Sequence, residues 1–223
     1  MIGFYDYTVI LTYLSILSGT AGIILCLNGI GHPYLGMFFL LFSGLCDTFD
    51  GKVARMKKDR TAEMKRFGIQ IDSLADLIAF GVLPACIGMA MFRSRMQLQV
   101  FSGLKIALLQ NYPIIYQSVL TTIAILYVLA AMIRLAYFNV MEEERQKKTK
   151  EVRRTYEGLP VTSVALIMPL LYGFKTNIGN EYFADVYAFV MLVIGIAFIT
   201  RFKIKKPQMK TMLIFVGIGA LEF

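Results

Sequence analysis

The sequence predicts an all-α, polytopic membrane bundle of about six transmembrane helices, and three observations carry that expectation. The 223-residue chain is 57% hydrophobic with a mean hydropathy of +0.62, too apolar for an ordinary soluble domain of this size. Only 17% of its residues are charged, so several long stretches contain almost nothing but apolar side chains. The charges that remain collect in short loops between those stretches. One integral-membrane domain over residues 1–223, with its core at about 8–200, is the simplest organisation.

The first apolar span is read at about 8–28, after a short interfacial helix bearing Tyr5 and Tyr7. The opening residues hold no Lys or Arg and no small-residue cleavage site, so they do not read as a removed leader. Further spans are read at about 34–55, 68–91, 114–139, 159–174 and 182–200, on the criterion of about 20 apolar residues per crossing. The fifth is short. The run Glu142 to Arg154 is of mixed charge and reads as a solvated helix or loop. A basic stretch from Arg201 to Lys210 leads into an apolar tail at 211–223, too short to cross alone. That tail reads as an interfacial helix or as the beginning of a seventh span.

Charge sets the orientation. Loops 56–67, 141–158 and 201–210 hold sixteen Lys and Arg, whereas the alternate segments 29–33, 92–113 and 175–181 hold four. The positive set is therefore expected in the cytoplasm, with the N-terminus on the same side. The net charge of +8 does not point to nucleic acid. The basic residues flank apolar spans, as they do beside anionic lipid, and no nucleic-acid-binding motif accompanies them. Cys26, Cys46 and Cys86 lie in apolar segments, at spacings that suit neither a disulfide framework nor a metal site. His32, the only histidine, sits in a Gly-His-Pro loop and is assigned no role.

Two helices carry acidic pairs where a membrane helix should be apolar. Asp47 and Asp50 are three residues apart, and Asp72 and Asp76 four. Each pair therefore shares one helix face, separated by about 60° and 40° around the axis. A basic loop joins the two helices, so they run antiparallel and all four carboxylates converge just inside the cytoplasmic interface. Four such charges are costly unless some are protonated or cations bind. An all-oxygen set without His or Cys suits Mg²⁺, Mn²⁺ or Ca²⁺ rather than zinc. A pair of such ions clamps a pyrophosphate and activates a hydroxyl. Gly51, Ala54 and Gly68 are small and leave room beside the carboxylates for a bulky ligand. A divalent-cation channel would use the acidic residues but not those small neighbours.

At these positions the chain resembles the CDP-alcohol phosphotransferase family. Its signature pairs Asp47-x-x-Asp50-Gly51-x-x-Ala54-Arg55 with Gly68-x-x-x-Asp72-x-x-x-Asp76, and every fixed position matches. The spacer between Arg55 and Gly68 is twelve residues, longer than is usual for the family, and the added residues are charged. The flanking text, Phe67 to Asp76 followed by Phe80-Gly81-Val82-x-Pro84-Ala85, is similar to the serine-transferring branch. So are Arg134 to Asn139 and Glu157-Gly158-Leu159-Pro160. Leu11-Thr12 with Gly19 and Gly22 resembles that branch's first helix, with Ser15 where Asn is common.

The resemblance implies two divalent cations, Mg²⁺ or Mn²⁺, held by Asp47, Asp50, Asp72 and Asp76, with Asp76 also the general base. It implies a CDP-lipid, CDP-diacylglycerol, bound beside Gly51, Ala54 and Gly68 and contacted by Arg55 and Thr61. Arg134 and Asn139 are candidates for acceptor or phosphate recognition. L-serine is the implied acceptor, with glycerol 3-phosphate, inositol phosphate or an archaeal ether-lipid donor as alternatives on the same scaffold. A homodimer in a prokaryotic cell membrane, with the site at the cytoplasmic face, completes the expectation.

Overall fold

The computed structural model describes residues 3–28, 32–57, 59–102, 113–148, 155–179 and 182–205. The apolar tail at 211–223 lies outside the described residues.

A 3₁₀ turn at Tyr7–Val9 runs directly into α1 (Ile10–Leu27). The expected interfacial helix is thus a single turn, with Tyr5 and Tyr7 exposed beside it. Helix α2 (Pro33–Met56) begins on Pro33, whose missing N–H would be unpaired at that position anyway. Helix α3 (Ala62–Asp76) is capped by Thr61, whose hydroxyl accepts from the Met64 amide at 3.2 Å. It passes through a π-helical turn, Leu77–Val82, into α4 (Leu83–Ser102). The third span is therefore longer at both ends than its apolar text, 68–91. Residues 62–67 and 92–102 hold no Gly or Pro to stop the helix.

Helix α5 (Pro113–Lys148) likewise continues beyond residue 139 into the charged run. Good helix formers extend it there, with Glu142–Arg145 and Glu143–Lys147 ion pairs at 2.6 and 3.1 Å along its surface. A 3₁₀ turn (Val161–Ser163), α6 (Val164–Gly173), α7 (Lys175–Ile178) and α8 (Phe183–Ile199) follow. The segments Tyr7–Leu27, Ala62–Arg95 and Ile114–Arg145 are long and apolar enough to cross a bilayer. Val161–Gly173 and Phe183–Ile199 are shorter apolar helices, and α2 matches the long ones in length but carries the first acidic pair. Together they form a helical integral-membrane protein.

One small element departs from the all-helical expectation. Strand β1 (Thr155–Glu157) pairs antiparallel with β2 (Lys203–Lys205), Tyr156 facing Ile204. The ladder ties the chain entering α6 to the chain leaving α8. Gly158 makes the turn beside it at φ +75°, and a Cβ there would stand 2.9 Å from the Thr200 carbonyl. Only glycine fits both constraints.

The core is built where α1, α2, α4, α5, α6 and α8 meet, on Met37, Leu40, Phe80, Leu83, Ile87, Tyr127, Val164, Met168 and Tyr187, all fully buried. Ser15 and Ser43 donate to each other's carbonyls at 3.5 and 3.1 Å, joining α1 to α2. Ser15 thus serves helix packing. Pro84 has no N–H to give the Phe80 carbonyl one turn back. The buried Tyr127 hydroxyl donates to that oxygen at 2.7 Å instead. Replacing Tyr127 with Phe should leave it without that donor and destabilise the protein by about 1–3 kcal/mol. Thermal unfolding in detergent measures this, and an unchanged midpoint would contradict it.

Candidate active site

The two acidic pairs come together as their spacing requires. Helix α2 supplies Asp47 and Asp50, and α3 supplies Asp72 and Asp76. Oxygens of Asp47, Asp50 and Asp72 all lie within 4.8 Å of one another. Asp76 lies one turn beyond Asp72 at the end of α3. Asp50 and Asp76 are each only 8% exposed. Carboxylates packed this closely away from water are costly unless some are protonated or cations bind among them. The oxygen-only triad fits a hard divalent cation.

Beside this cluster a cavity of about 540 Å³ opens between α1, α2 and α3. Asp50, Gly51 and Ala54 form one wall, and Gly68 and Asp72 the other. The volume lies in the range of small-molecule and cofactor sites. Thr12 on α1 donates to Asp50 Oδ2 at 3.3 Å, fixing that carboxylate from a third helix. Lys57, Arg60 and Lys65 complete the lining towards the mouth. Acidic and basic side chains thus line one cavity, a combination that suits a metal-bound pyrophosphate.

The segment before α1 is fastened to this mouth. Phe4 packs edge-on against Phe67 with ring centroids 5.4 Å apart, and Asp6 pairs with Lys57. The Lys57 ammonium holds the Asp6 carboxyl below the ordinary carboxylate range. The pair is therefore intact at neutral pH and is lost only as pH falls through that lowered value.

Other sequence candidates sit elsewhere. Helix α2 carries Arg55, whose side chain lies outside the described residues. Thr61 is exposed, spends its oxygen on the α3 cap and does not line the cavity. Asn139 donates to Ser73 Oγ at 2.7 Å, bracing α3 next to Asp72. Arg134 is buried and donates through Nε to the Leu159 carbonyl at 3.1 Å. It lines a separate pocket of about 140 Å³ with Tyr137, Glu157 and Arg201, away from the acidic cavity. Conversely, Lys57, Arg60 and Lys65 read only as topology signals in the sequence, because a loop lysine that faces lipid and one that faces a cavity are written alike. Among the thiols, Cys26 and Cys46 are buried and all three are free.

Fold and site together define a helical integral-membrane protein with an acidic, divalent-cation type of centre at a nucleotide-sized cavity. The CDP-alcohol phosphatidyltransferase family model matches residues 8–202, and the chain belongs to that family. It is 32% identical over 171 residues to the CDP-diacylglycerol–serine O-phosphatidyltransferase of Saccharomyces cerevisiae, covering 72% of this chain and 52% of the relative. It is 28% identical over 211 residues to the protein of the same name from Methanocaldococcus jannaschii, covering 95% and 78%. To the archaetidylserine synthase of Methanothermobacter thermautotrophicus it is 26% identical over 191 residues, covering 86% and 66%. The chain spans about half the length of the yeast relative and of the Mycobacterium bovis protein of the same name, to which it is 25% identical over 185 residues.

Proposed function

We propose that this protein transfers the phosphatidyl group of CDP-diacylglycerol to L-serine, giving phosphatidylserine and CMP. The observation that carries the reading is the convergence of Asp47, Asp50 and Asp72 from α2 and α3, beside a cavity lined by small and basic residues. Asp47, Asp50, Asp72 and Asp76 would hold two Mg²⁺ or Mn²⁺ ions, which neutralise the pyrophosphate and stabilise charge on the departing CMP. Gly51, Ala54 and Gly68 leave space for the nucleotide, with Arg55 at the end of the same helix. The acyl chains remain in the membrane lipid.

Asp76 takes the proton from the serine hydroxyl. The serine oxygen then bonds to the phosphorus that carries diacylglycerol, and the bond from that phosphorus to the CMP oxygen breaks. Asp50 keeps its orientation through Thr12, and α3 keeps its position through Asn139 and Ser73. In this reading the centre faces the cytoplasm, which the positive loops support, and the protein is a one-domain homodimer of a prokaryotic-type cell membrane.

A panel of acceptors tests the reading. L-serine, glycerol 3-phosphate and inositol phosphate are each supplied with CDP-diacylglycerol or its archaeal ether-lipid counterpart, and CMP release is followed. Release that depends on serine is expected, lost on chelation and restored by Mg²⁺ or Mn²⁺. Release with another acceptor in preference to serine would overturn the choice of alcohol, and metal flux without CMP would overturn the class.

A further inference from the structure

We infer that Arg60 is a specificity-determining residue of the donor site, whose guanidinium meets a phosphate of the incoming CDP-lipid at the crevice beside Gly68. The inference rests on the reading of the cavity as a CDP-lipid site.

Three observations carry it. The guanidinium lies on the open face of Gly68, where a Cβ would stand 2.6 Å from Nη2. It also lines the same cavity as Asp50, Gly51 and Asp72. Arg60 therefore stands in the space that the small residues of both helices leave open. Its bonds there are weak. Nη1 donates to the Ala54 carbonyl at 3.4 Å and Nη2 to the Met64 carbonyl at 3.3 Å, both at the long end of the range. Its Nε is buried without a partner among the described residues. An arginine offers five N–H donors in a planar fork, and two long bonds to neutral carbonyls use little of it. A phosphate would supply charged acceptors in matching bidentate geometry. Finally, Arg60 belongs to the short link between α2 and α3, so its side chain can re-aim without moving either helix.

The acidic residues of the same cavity explain why a further cation is needed there. Asp50 and Asp72 are committed to metal in the proposed chemistry. A pyrophosphate held beside these carboxylates would need charged donors for its remaining oxygens, and Arg60 lines the same cavity. From beside Gly68, Arg60 would supply such donors, so its effect should fall on the donor and not on the acceptor. A purely structural staple between Ala54 and Met64 would instead act on stability.

Arg60→Ala and Arg60→Lys in the full-length protein separate these roles. KM for CDP-diacylglycerol, KM for serine, kcat, CMP affinity by calorimetry and the unfolding midpoint are measured on each. Arg60→Ala is expected to raise KM for CDP-diacylglycerol and weaken CMP binding by about tenfold or more, the scale of a hydrogen bond to a charged group. kcat, KM for serine and the midpoint should stay close to wild type. Arg60→Lys should recover only part of the loss, because an ammonium has no bidentate fork. If wild type binds CMP and both variants bind it equally well, the inference fails while the donor-site reading stands. The same holds if only the midpoint falls. If wild type binds no CMP at all, the donor-site reading fails and takes the inference with it.

Discussion

Replacing Asp76 with Asn is expected to lower serine-dependent CMP release by about 10²- to 10⁴-fold, the usual contribution of a positioned general base. CMP binding should change by no more than a few fold. The amide keeps the size of the carboxylate, so the packing around this 8% exposed side chain is preserved. It also removes one of four like charges from a crowded, buried cluster, which does not threaten the fold. Asn retains an oxygen for a cation but cannot accept the serine proton. Asp50→Asn makes the informative contrast. It alters a member of the close acidic triad and the acceptor of Thr12 together, so it should weaken nucleotide binding as well as turnover. Near-wild-type turnover in Asp76→Asn would overturn the base assignment. A matching collapse of CMP binding would make Asp76 a ligand and nothing more.

The second large effect lies at the other end of α4. Asp185→Ala is expected to destabilise the protein by about 2–3 kcal/mol without changing KM for CDP-diacylglycerol. Arg95 on α4 is 6% exposed and donates through Nη1 to Asp185 Oδ2 and to the Tyr116 hydroxyl, each at 2.9 Å. The Tyr116 hydroxyl in turn donates to Asp185 Oδ1. The cluster joins α4, α5 and α8, with Asp185 in the first turn of α8, where the helix dipole favours an anion. Removing the carboxylate leaves a buried guanidinium with a neutral phenol in place of its counter-charge. Asp185 is itself 39% exposed, and solvent screening holds the effect below that of a fully buried pair. A double variant, Arg95→Leu with Asp185→Leu, should recover much of the loss, since apolar side chains replace buried ion pairs with little penalty. Chemical unfolding of the three proteins decides it. An unaltered Asp185→Ala would reduce the cluster to a surface pair.

Legibility in the sequence followed the range of the interaction. The acidic pairs were legible because positions three and four apart share a helix face wherever that helix packs. Adjacent antiparallel helices joined by a short loop then bring Asp50 and Asp72 together with no further information. The ends of α4 and α5 were not legible from hydropathy, because a helix stops where its backbone is capped or broken and not where its side chains turn polar. The β1–β2 ladder was hidden for another reason. Its two strands are nearly fifty positions apart, and three residues each are too few for their alternation to stand out. Arg134 shows the limit of motif text. It stands in a segment similar to the serine-transferring branch, yet its side chain is turned to the Leu159 carbonyl and a pocket apart from the aspartates.

By itself the sequence determined that this is a helical membrane protein, which helices hold the carboxylates, and which loops are positive. Those properties reside in composition and in spacings of a few residues, so any packing of the helices would preserve them. Only the tertiary structure decided that Thr12 holds Asp50, that Arg60 lies against Gly68, and that Arg95 is buried against Asp185. Each contact depends on the rotation of one helix against another, or on the path of a loop. Apolar faces in lipid do not encode that choice, because many rotations bury them equally well. Close packing and the pairing of buried polar groups select one of them.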